Sequence, residues 1–317
     1  MPRFNHLFGP VKSRRYGRSL GVDLVPSKTC PLNCVFCQLG ATECVSVEPA
    51  QSAPVRVITG ELRAWLHLHH YAADWIALGG SGEPTLHPGF GEVLAWIRRH
   101  TECKSLLLSN GALLTRRDVR AAASAADAVK VSLHAWDQAS FEKITRPHAS
   151  LDFAAIVEGY RDFRAIHKGA LDVEVFVVPG VNDGGAQMSK IAALAKTFSP
   201  DRVTLNTAVR PPAENWVTVC PPGQLEALAK LFTPIAEVPK ALQLTRSLAA
   251  EKIAEKRPPD IRVLKARITD LLKRHPARPE DVAETFELTP GQALALLRKL
   301  QGEGRAQHLD GFWSAVT

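Results

Sequence analysis

Cys30, Cys34 and Cys37 fall within eight consecutive residues, whereas Cys44, Cys103 and Cys220 stand apart. The segment reads Cys-Pro-Leu-Asn-Cys-Val-Phe-Cys. Three thiolates this close on one loop can converge on one soft metal centre. An iron–sulfur cluster that only carries electrons usually has four cysteine ligands. Three ligands leave one iron of a four-iron cube open, and an open iron invites a ligand from a small molecule. A zinc site that takes Cys44 or a histidine as its fourth ligand also fits the spacing.

A glycine-rich turn, Gly79-Gly80-Ser81-Gly82-Glu83-Pro84, lies further along. Glycines let a backbone approach a ligand closely. Carbonyls and a carboxylate there can accept hydrogen bonds from an ammonium group. The simpler reading is a plain turn with an exposed glutamate. Polar residues also end three apolar runs: Asn110, Ser132 and Asn206. At the ends of barrel strands such residues point into the site; elsewhere they are turn residues or local caps. His134, two residues after Ser132, reads as an ordinary hydrogen-bonded histidine.

The elements that would position these groups follow from the apolar pattern. Short runs at 20–25, 75–78, 105–108, 128–133, 172–178 and 202–206 are rich in Val, Ile and Leu, as buried parallel strands are. Amphipathic stretches at 58–69, 90–100, 153–167 and 187–198 lie between them. The alternation predicts an α/β fold with six βα units, a partial (β/α)6 TIM-type barrel; eight units normally need about 250 residues. The cysteine loop would follow the first strand and the glycine turn the second, both at the end where barrel sites form.

The barrel with its N-terminal arm is expected over residues 1–236. The pattern loosens over 237–260, where Arg257-Pro258-Pro259-Asp260 marks a linker. A second unit is expected over 261–317. It has helical spacing through Leu264, Ile268, Leu271 and Leu272, and a short helix over 279–286. Thr289-Pro290 is a helix start, and Asp310-Gly311 is a hairpin turn. Three helices and then a hairpin is the winged-helix order.

The cysteine spacing, with Phe36 before the last cysteine, resembles the radical S-adenosylmethionine (SAM) superfamily. Ser81-Gly82-Glu83 is similar to that family's Gly-Gly-Glu motif. The resemblance implies a [4Fe–4S] cluster on Cys30, Cys34 and Cys37, with SAM chelating the open iron. It implies reductive cleavage of SAM to a 5′-deoxyadenosyl radical, which takes hydrogen from a substrate. Gly80, Ser81, Gly82 and Glu83 would hold the methionine part of SAM. Asn110 and Ser132 would lie near its ribose or the substrate, and Asn206 near its adenine. Phe8-Gly9-Pro10-Val11-Lys12-Ser13, Arg146-Pro147-His148, 178–183 and Arg210-Pro211-Pro212 resemble the branch grouped with the wyosine-base synthases, which act on tRNA. Those synthases carry three more cysteines upstream, whereas no cysteine precedes Cys30 here. A second cluster is therefore not expected.

The formal net charge is +7, with 39 Lys and Arg against 32 Asp and Glu. Arg3, Lys12, Arg14, Arg15 and Arg18 all precede the first acidic residue, Asp23. Arg14, Arg15 and Arg18, with Arg210 after the sixth strand, predict an anionic substrate: RNA ahead of other classes, or a small carboxylate or phosphate. The expected reductant is of the flavodoxin or ferredoxin kind. Residues 261–317 hold nine Lys and Arg against seven Asp and Glu, too even a balance for a dedicated DNA reader. No run of about 18 apolar residues is present and the first ten lack a signal peptide's apolar core, so a cytoplasmic enzyme is expected. The competing reading is a metal-dependent nucleic-acid-binding regulator with a cysteine-rich sensor barrel.

Overall fold

The computed structural model describes residues 4–13, 16–70, 72–238, 261–274, 276–286 and 288–316. The chain opens with β1 (Leu7–Ser13), β2 (Gly17–Val22), the short β3 (Thr29–Cys30) and β4 (Cys44–Val45), then α1 (Val55–Leu68). Next come β5 (Trp75–Leu78), α2 (Phe90–His100), β6 (Lys104–Leu108), α3 (Arg117–Ala123), β7 (Ala128–Ser132), α4 (Gln138–Thr145) and α5 (Phe153–Ile166). The barrel ends with β8 (Ala170–Phe176), α6 (Gly185–Lys196), β9 (Arg202–Asn206) and α7 (Pro222–Ala229).

The main sheet has the order β1-β2-β5-β6-β7-β8-β9. The six strands from β2 onward run parallel, and β1 pairs antiparallel with β2. This is the expected (β/α)6 partial barrel, with one extra strand. The first parallel strand begins three residues earlier than its apolar run suggests, at Gly17. β1 was not expected. It contains Pro10, which an edge strand tolerates because no ladder bond is lost, and its register shifts between Phe8 and Val11.

The outer face of the sheet is dry. Ile76, Leu78, Leu107, Val129, Val131, Val173, Val175, Val203 and Leu205 are buried against the helices. The inner face differs. Leu108, Lys130, Ser132, Glu174, Phe176 and Asn206 are all partly exposed. A period of two puts alternate residues on opposite faces. The strands thus present polar, accessible groups to the concave side near their C-terminal ends. At the other end Tyr16 fills the base of the barrel: its hydroxyl donates to Asp172, and the Arg202 guanidinium lies 5.9 Å from its ring centroid.

Glu237, the first residue of the expected linker, belongs to the barrel. It bridges to Thr204 and exchanges backbone hydrogen bonds with Val203 and Leu205. Most of the remaining linker lies outside the described residues. The C-terminal unit follows with α8 (Ile261–Arg274), α9 (Pro279–Phe286), α10 (Pro290–Gly302), β10 (Ala306–Leu309) and β11 (Phe312–Ala315). Thr289 caps α10 in a reciprocal box with Gln292, and Asp310 and Gly311 turn the hairpin with positive φ. The unit has its own core, which includes Ile268, Leu272, Val282, Leu297, Leu300 and Trp313. It packs on the edge of the barrel: Val11 of β1 joins its core, and Arg267 donates to the Gly9 carbonyl at 2.9 Å. Among the described residues no helix is long and apolar enough to cross a membrane.

Candidate cofactor site

The cysteine loop leaves β2 at the C-terminal end of the parallel strands. Its backbone is tied to the C-terminus of α4: Asn33 N–H donates to the Thr145 carbonyl at 2.8 Å, and Val35 N–H to the Ile144 carbonyl at 3.0 Å. Leu32 bridges Pro147, and His148 N–H reaches the Pro31 carbonyl at 2.8 Å. This gives the Arg146-Pro147-His148 segment its local purpose. Arg146 sits at φ 42° and turns the chain back toward the loop.

Cys30, Cys34 and Cys37 are each half-buried. Burial pushes the Cys30 thiol up to about 12, with the charges of Glu83 and Cys37 adding to it. Burial and then the charges of Cys30 and Cys37 push Cys34 well above the ordinary thiol value. Burial also raises Cys37, against the pull of Lys28. The three thiols thus share a poorly solvated place, where thiolates need a cation to stay ionised. Asn110 Nδ2 donates to Cys30 Sγ at 3.3 Å. Cys44 stands apart. It is exposed, and in the parallel β3–β4 ladder it pairs with Thr29, while Cys30 pairs with Val45. Paired residues share a face, so Cys44 points away from Cys30's side. Among the described residues no group of three His, Cys, Asp or Glu is arranged to hold a single metal ion.

The glycine turn sits against the cysteine loop. Glu83 N–H donates to the Thr29 carbonyl at 2.9 Å, and Lys28 N–H to the Ser81 carbonyl at 2.6 Å. A Cβ on Gly82 would lie 2.4 Å from the Thr29 carbonyl oxygen, so only glycine allows this approach. Glu83 is not exposed. It is 3% accessible, and its carboxylate accepts from Thr85 N–H at 3.1 Å, Thr85 Oγ1 at 2.6 Å, Ser109 Oγ at 2.7 Å and Asn110 N–H at 2.8 Å. Burial raises its pKa, and those donors work against the rise. Its carboxylate is thus committed inside the protein, where it holds Asn110 in reach of Cys30.

Ser132 and Asn110 are brought together by Tyr160, which the sequence did not single out. Its buried hydroxyl lies 2.9 Å from the Asn110 carbonyl and 2.7 Å from the Ser132 carbonyl, its single proton shared between them. Asn206 Nδ2 donates to Glu174 Oε1 at 2.6 Å, and Lys130 Nζ meets the same oxygen at 2.8 Å. Lys130 and Glu174 were visible as polar residues alternating with apolar ones inside strands. Above them Phe36 stacks on Phe176, with centroids 4.0 Å apart, and meets His134 edge-on at 4.8 Å. His134 is the hydrogen-bonded histidine expected: its Nδ1 accepts from Phe176 N–H at 2.9 Å, and burial pulls its pKa down to about 4.

The arginines divide. Arg210 lies beside the cysteine loop and donates to Gln38 Oε1 at 2.9 Å. Arg18 does not belong to the site. It stands near the start of β2, at the opposite end of the barrel, and pairs with Asp74 at 3.1 Å. The basic run before the first strand suggested otherwise, but a residue before a parallel strand lies at the end away from the cysteine loop. Arg14 and Arg15 lie outside the described residues.

A family model described as the radical SAM superfamily matches residues 24–189, which include the cysteine loop, the glycine turn and the strands β3 to β8. The chain belongs to the radical SAM superfamily. It is 30% identical over 302 residues to a protein named GTPase Obg from Brachyspira hyodysenteriae, covering 95% of this chain and 43% of that one. The chain thus spans under half of that relative's length. A UPF0026 protein from Helicobacter pylori is 38% identical over 207 residues, 65% of this chain and 67% of that one. The fold matches a radical SAM methyltransferase from Sphaerobacter thermophilus with a TM-score of 0.55 at 15% identity, covering 71% of this chain and 67% of that one. As a radical SAM protein the chain is an enzyme whose cofactors are a [4Fe–4S] cluster and SAM.

Proposed function

We propose that this radical SAM enzyme holds its cluster on Cys30, Cys34 and Cys37 and modifies an anionic substrate bound on the inner face of the sheet. Bound there, the cluster supplies the electron that cleaves SAM to the 5′-deoxyadenosyl radical. One observation carries the assignment: the three cysteines sit half-buried on one loop that the glycine turn touches, Glu83 N–H donating to the Thr29 carbonyl at 2.9 Å, while Cys44 is exposed and off Cys30's side of its ladder. In this reading Gly80, Ser81 and Gly82 lay their backbone along the methionine part of SAM. Glu83 shapes that turn and fixes Asn110 instead of meeting the ammonium itself. Ser132 and Asn206 line the path from the ribose and adenine to the substrate. The electron comes from an external reductant of the flavodoxin or ferredoxin kind.

The substrate class rests on Arg210. A guanidinium offers five N–H donors; Gln38 takes one of Arg210's, and Asp281 of α9 is near enough for its charge to act on it. A donor left over suits a phosphate or carboxylate arriving beside the cluster. The resemblance to the branch with the wyosine-base synthases favours RNA among such substrates, while Arg18 no longer supports it. On the N-terminal half of α10, where a recognition helix reads bases, the exposed side offers only Gln292 for base contact, and Arg298 and Lys299 lie further along. That weakens the regulator reading.

Two measurements test the proposal. Reduced anaerobic protein should release 5′-deoxyadenosine from SAM, and an Ala triple variant of the three cysteines should release none; release by that variant would refute the cluster assignment. Bulk tRNA should bind at low salt and lose affinity steeply as salt rises, because neutralised phosphates release counterions. Arg210→Ala should weaken that binding. No binding at low salt, or binding indifferent to salt and to Arg210, removes RNA and leaves a small carboxylate or phosphate.

A further inference from the structure

Asp23, the residue just past β2, touches the glycine turn at two points. Its carboxylate accepts from Ser81 N–H at 3.1 Å and from the Ser81 hydroxyl. Gly80 has φ 150°, and a Cβ there would lie 2.7 Å from the Asp23 carboxyl carbon. The turn therefore rests directly on this carboxylate. The only cation on Asp23 among the described residues comes from the C-terminal unit: Arg274, the last residue of α8, has Nε 3.4 Å from Asp23 Oδ2. Both side chains are nearly buried, 10% and 12% accessible.

Arg274 has few alternatives. Its guanidinium lies 4.9 Å from the ring centroid of Phe8 on β1, donates through NH1 to the Asp270 carbonyl at 2.8 Å and reaches the Asn5 carbonyl at 3.3 Å through NH2. Its Nε is buried without a well-angled hydrogen bond. The guanidinium is held beside Asp23 by the ring and the helix, and the contact is one of charge and proximity. A guanidinium at this place fixes which way the Asp23 carboxylate points. Held that way, the carboxylate accepts both the N–H and the hydroxyl of Ser81. The backbone of the turn is thereby set.

We infer that Arg274 is a positioning residue for the SAM site, acting through Asp23 on Ser81, so that the C-terminal unit completes the cofactor site of the barrel. This rests on the reading that the Gly80–Glu83 turn holds SAM. It gives α8 a role in the chemistry although no residue of that helix is placed on the cofactor.

The test uses the full-length, anaerobically reconstituted protein. SAM affinity is measured by calorimetric titration, and the reduced cluster's electron paramagnetic resonance spectrum is recorded with and without SAM. Thermal midpoints and iron content serve as folding controls. Arg274→Met should retain the cluster and bind SAM roughly tenfold more weakly, equal to about 1.4 kcal/mol. Arg274→Lys, which keeps the charge, should recover most of the loss. Arg267→Met removes another contact between α8 and β1 without touching Asp23, and should leave SAM affinity unchanged. Ser81→Ala should weaken SAM alone, and Arg274→Met added to it should cost little more, because residues in one network are not additive.

If Ser81→Ala weakens SAM but Arg274→Met does not, the inference is wrong and the turn assignment stands. If neither substitution changes SAM affinity, the turn assignment fails and takes the inference with it. If Arg274→Met and Arg267→Met weaken SAM equally and Lys does not rescue, the effect is general loosening of the unit, which also overturns the inference.

Discussion

Removing the Glu83 carboxylate should damage the fold as well as the cofactor site. Four donors converge on it: Thr85 N–H, Thr85 Oγ1, Ser109 Oγ and Asn110 N–H, all at 2.6–3.1 Å. Glu83, Thr85 and Ser109 are buried. A donor left unpaired in such a place costs about 1–3 kcal/mol. At the low end of that range, Glu83→Ala loses about 4 kcal/mol. For a domain of this size each kcal/mol is worth about 2–4 °C, so the thermal midpoint should fall by about 8–16 °C. Glu83→Gln should cost less. Its carbonyl oxygen can keep the three bonds on one side, and its NH2 then opposes Asn110 N–H. The assay is thermal unfolding of the apo-protein by circular dichroism, followed by SAM titration of the reconstituted variants below their midpoints. An Ala variant with an unchanged midpoint and weakened SAM binding would show that the carboxylate is free to meet the ligand. The hydrogen-bond argument would then be wrong.

Replacing Cys44 with Ala should leave iron and sulfide content unchanged, whereas Cys34→Ala should abolish the brown chromophore; loss of the cluster in Cys44→Ala would restore a four-thiolate site. Arg18→Ala breaks an exposed ion pair, worth about 0–1 kcal/mol, and should leave SAM affinity and tRNA binding untouched; a change in either would return Arg18 to the site. His134 predicts a pH effect on stability. Its folded pKa, about 4, lies below the unfolded value near 6.5. Between those values the unfolded chain binds a proton that the folded chain does not, so stability falls as pH falls through that window, by up to about 3 kcal/mol, and is fully present above pH 6.5. Urea unfolding at several pH values should show a steeper loss in the wild type than in His134→Gln, and parallel curves would refute it. Tyr160→Phe keeps the ring but frees two strand-end carbonyls, and should lower stability by about 1–2 kcal/mol; an unchanged urea midpoint would mean that these bonds are dispensable.

The parts of the molecule that were legible in the sequence share one property: their signal is local. The strand 202–206 matches β9, and 75–78 matches β5, because each is a short apolar run between breakers. The three cysteines and the glycine turn carry their chemistry in adjacent residues. What escaped depends on partners distant in the chain. The donors to Glu83 include Ser109, which sits 26 positions away. Asp23 lies inside the apolar run 20–25 and stood out only as the first acidic residue; its partners Ser81 and Arg274 are distant in the chain. β1 escaped because Gly9 and Pro10 interrupt its pattern, and only its place at the sheet edge permits them. Arg18 was misplaced for a geometric reason: strand direction decides which end of a barrel a flanking residue occupies, and charge composition carries no direction.

The stitching of the cysteine loop to α4 bears on how the enzyme is matured. The loop's backbone bonds at Asn33, Val35 and His148 all run between segments of the chain. None of them needs iron. On the proposed assignment the loop's path is set by the fold, with the three cysteines half open to solvent. Delivery of a preformed cluster to them would require thiols to be exchanged, with no segment to be refolded. Damage by oxygen that strips the iron should leave a receptive protein behind, ready to be reloaded once its thiols are reduced.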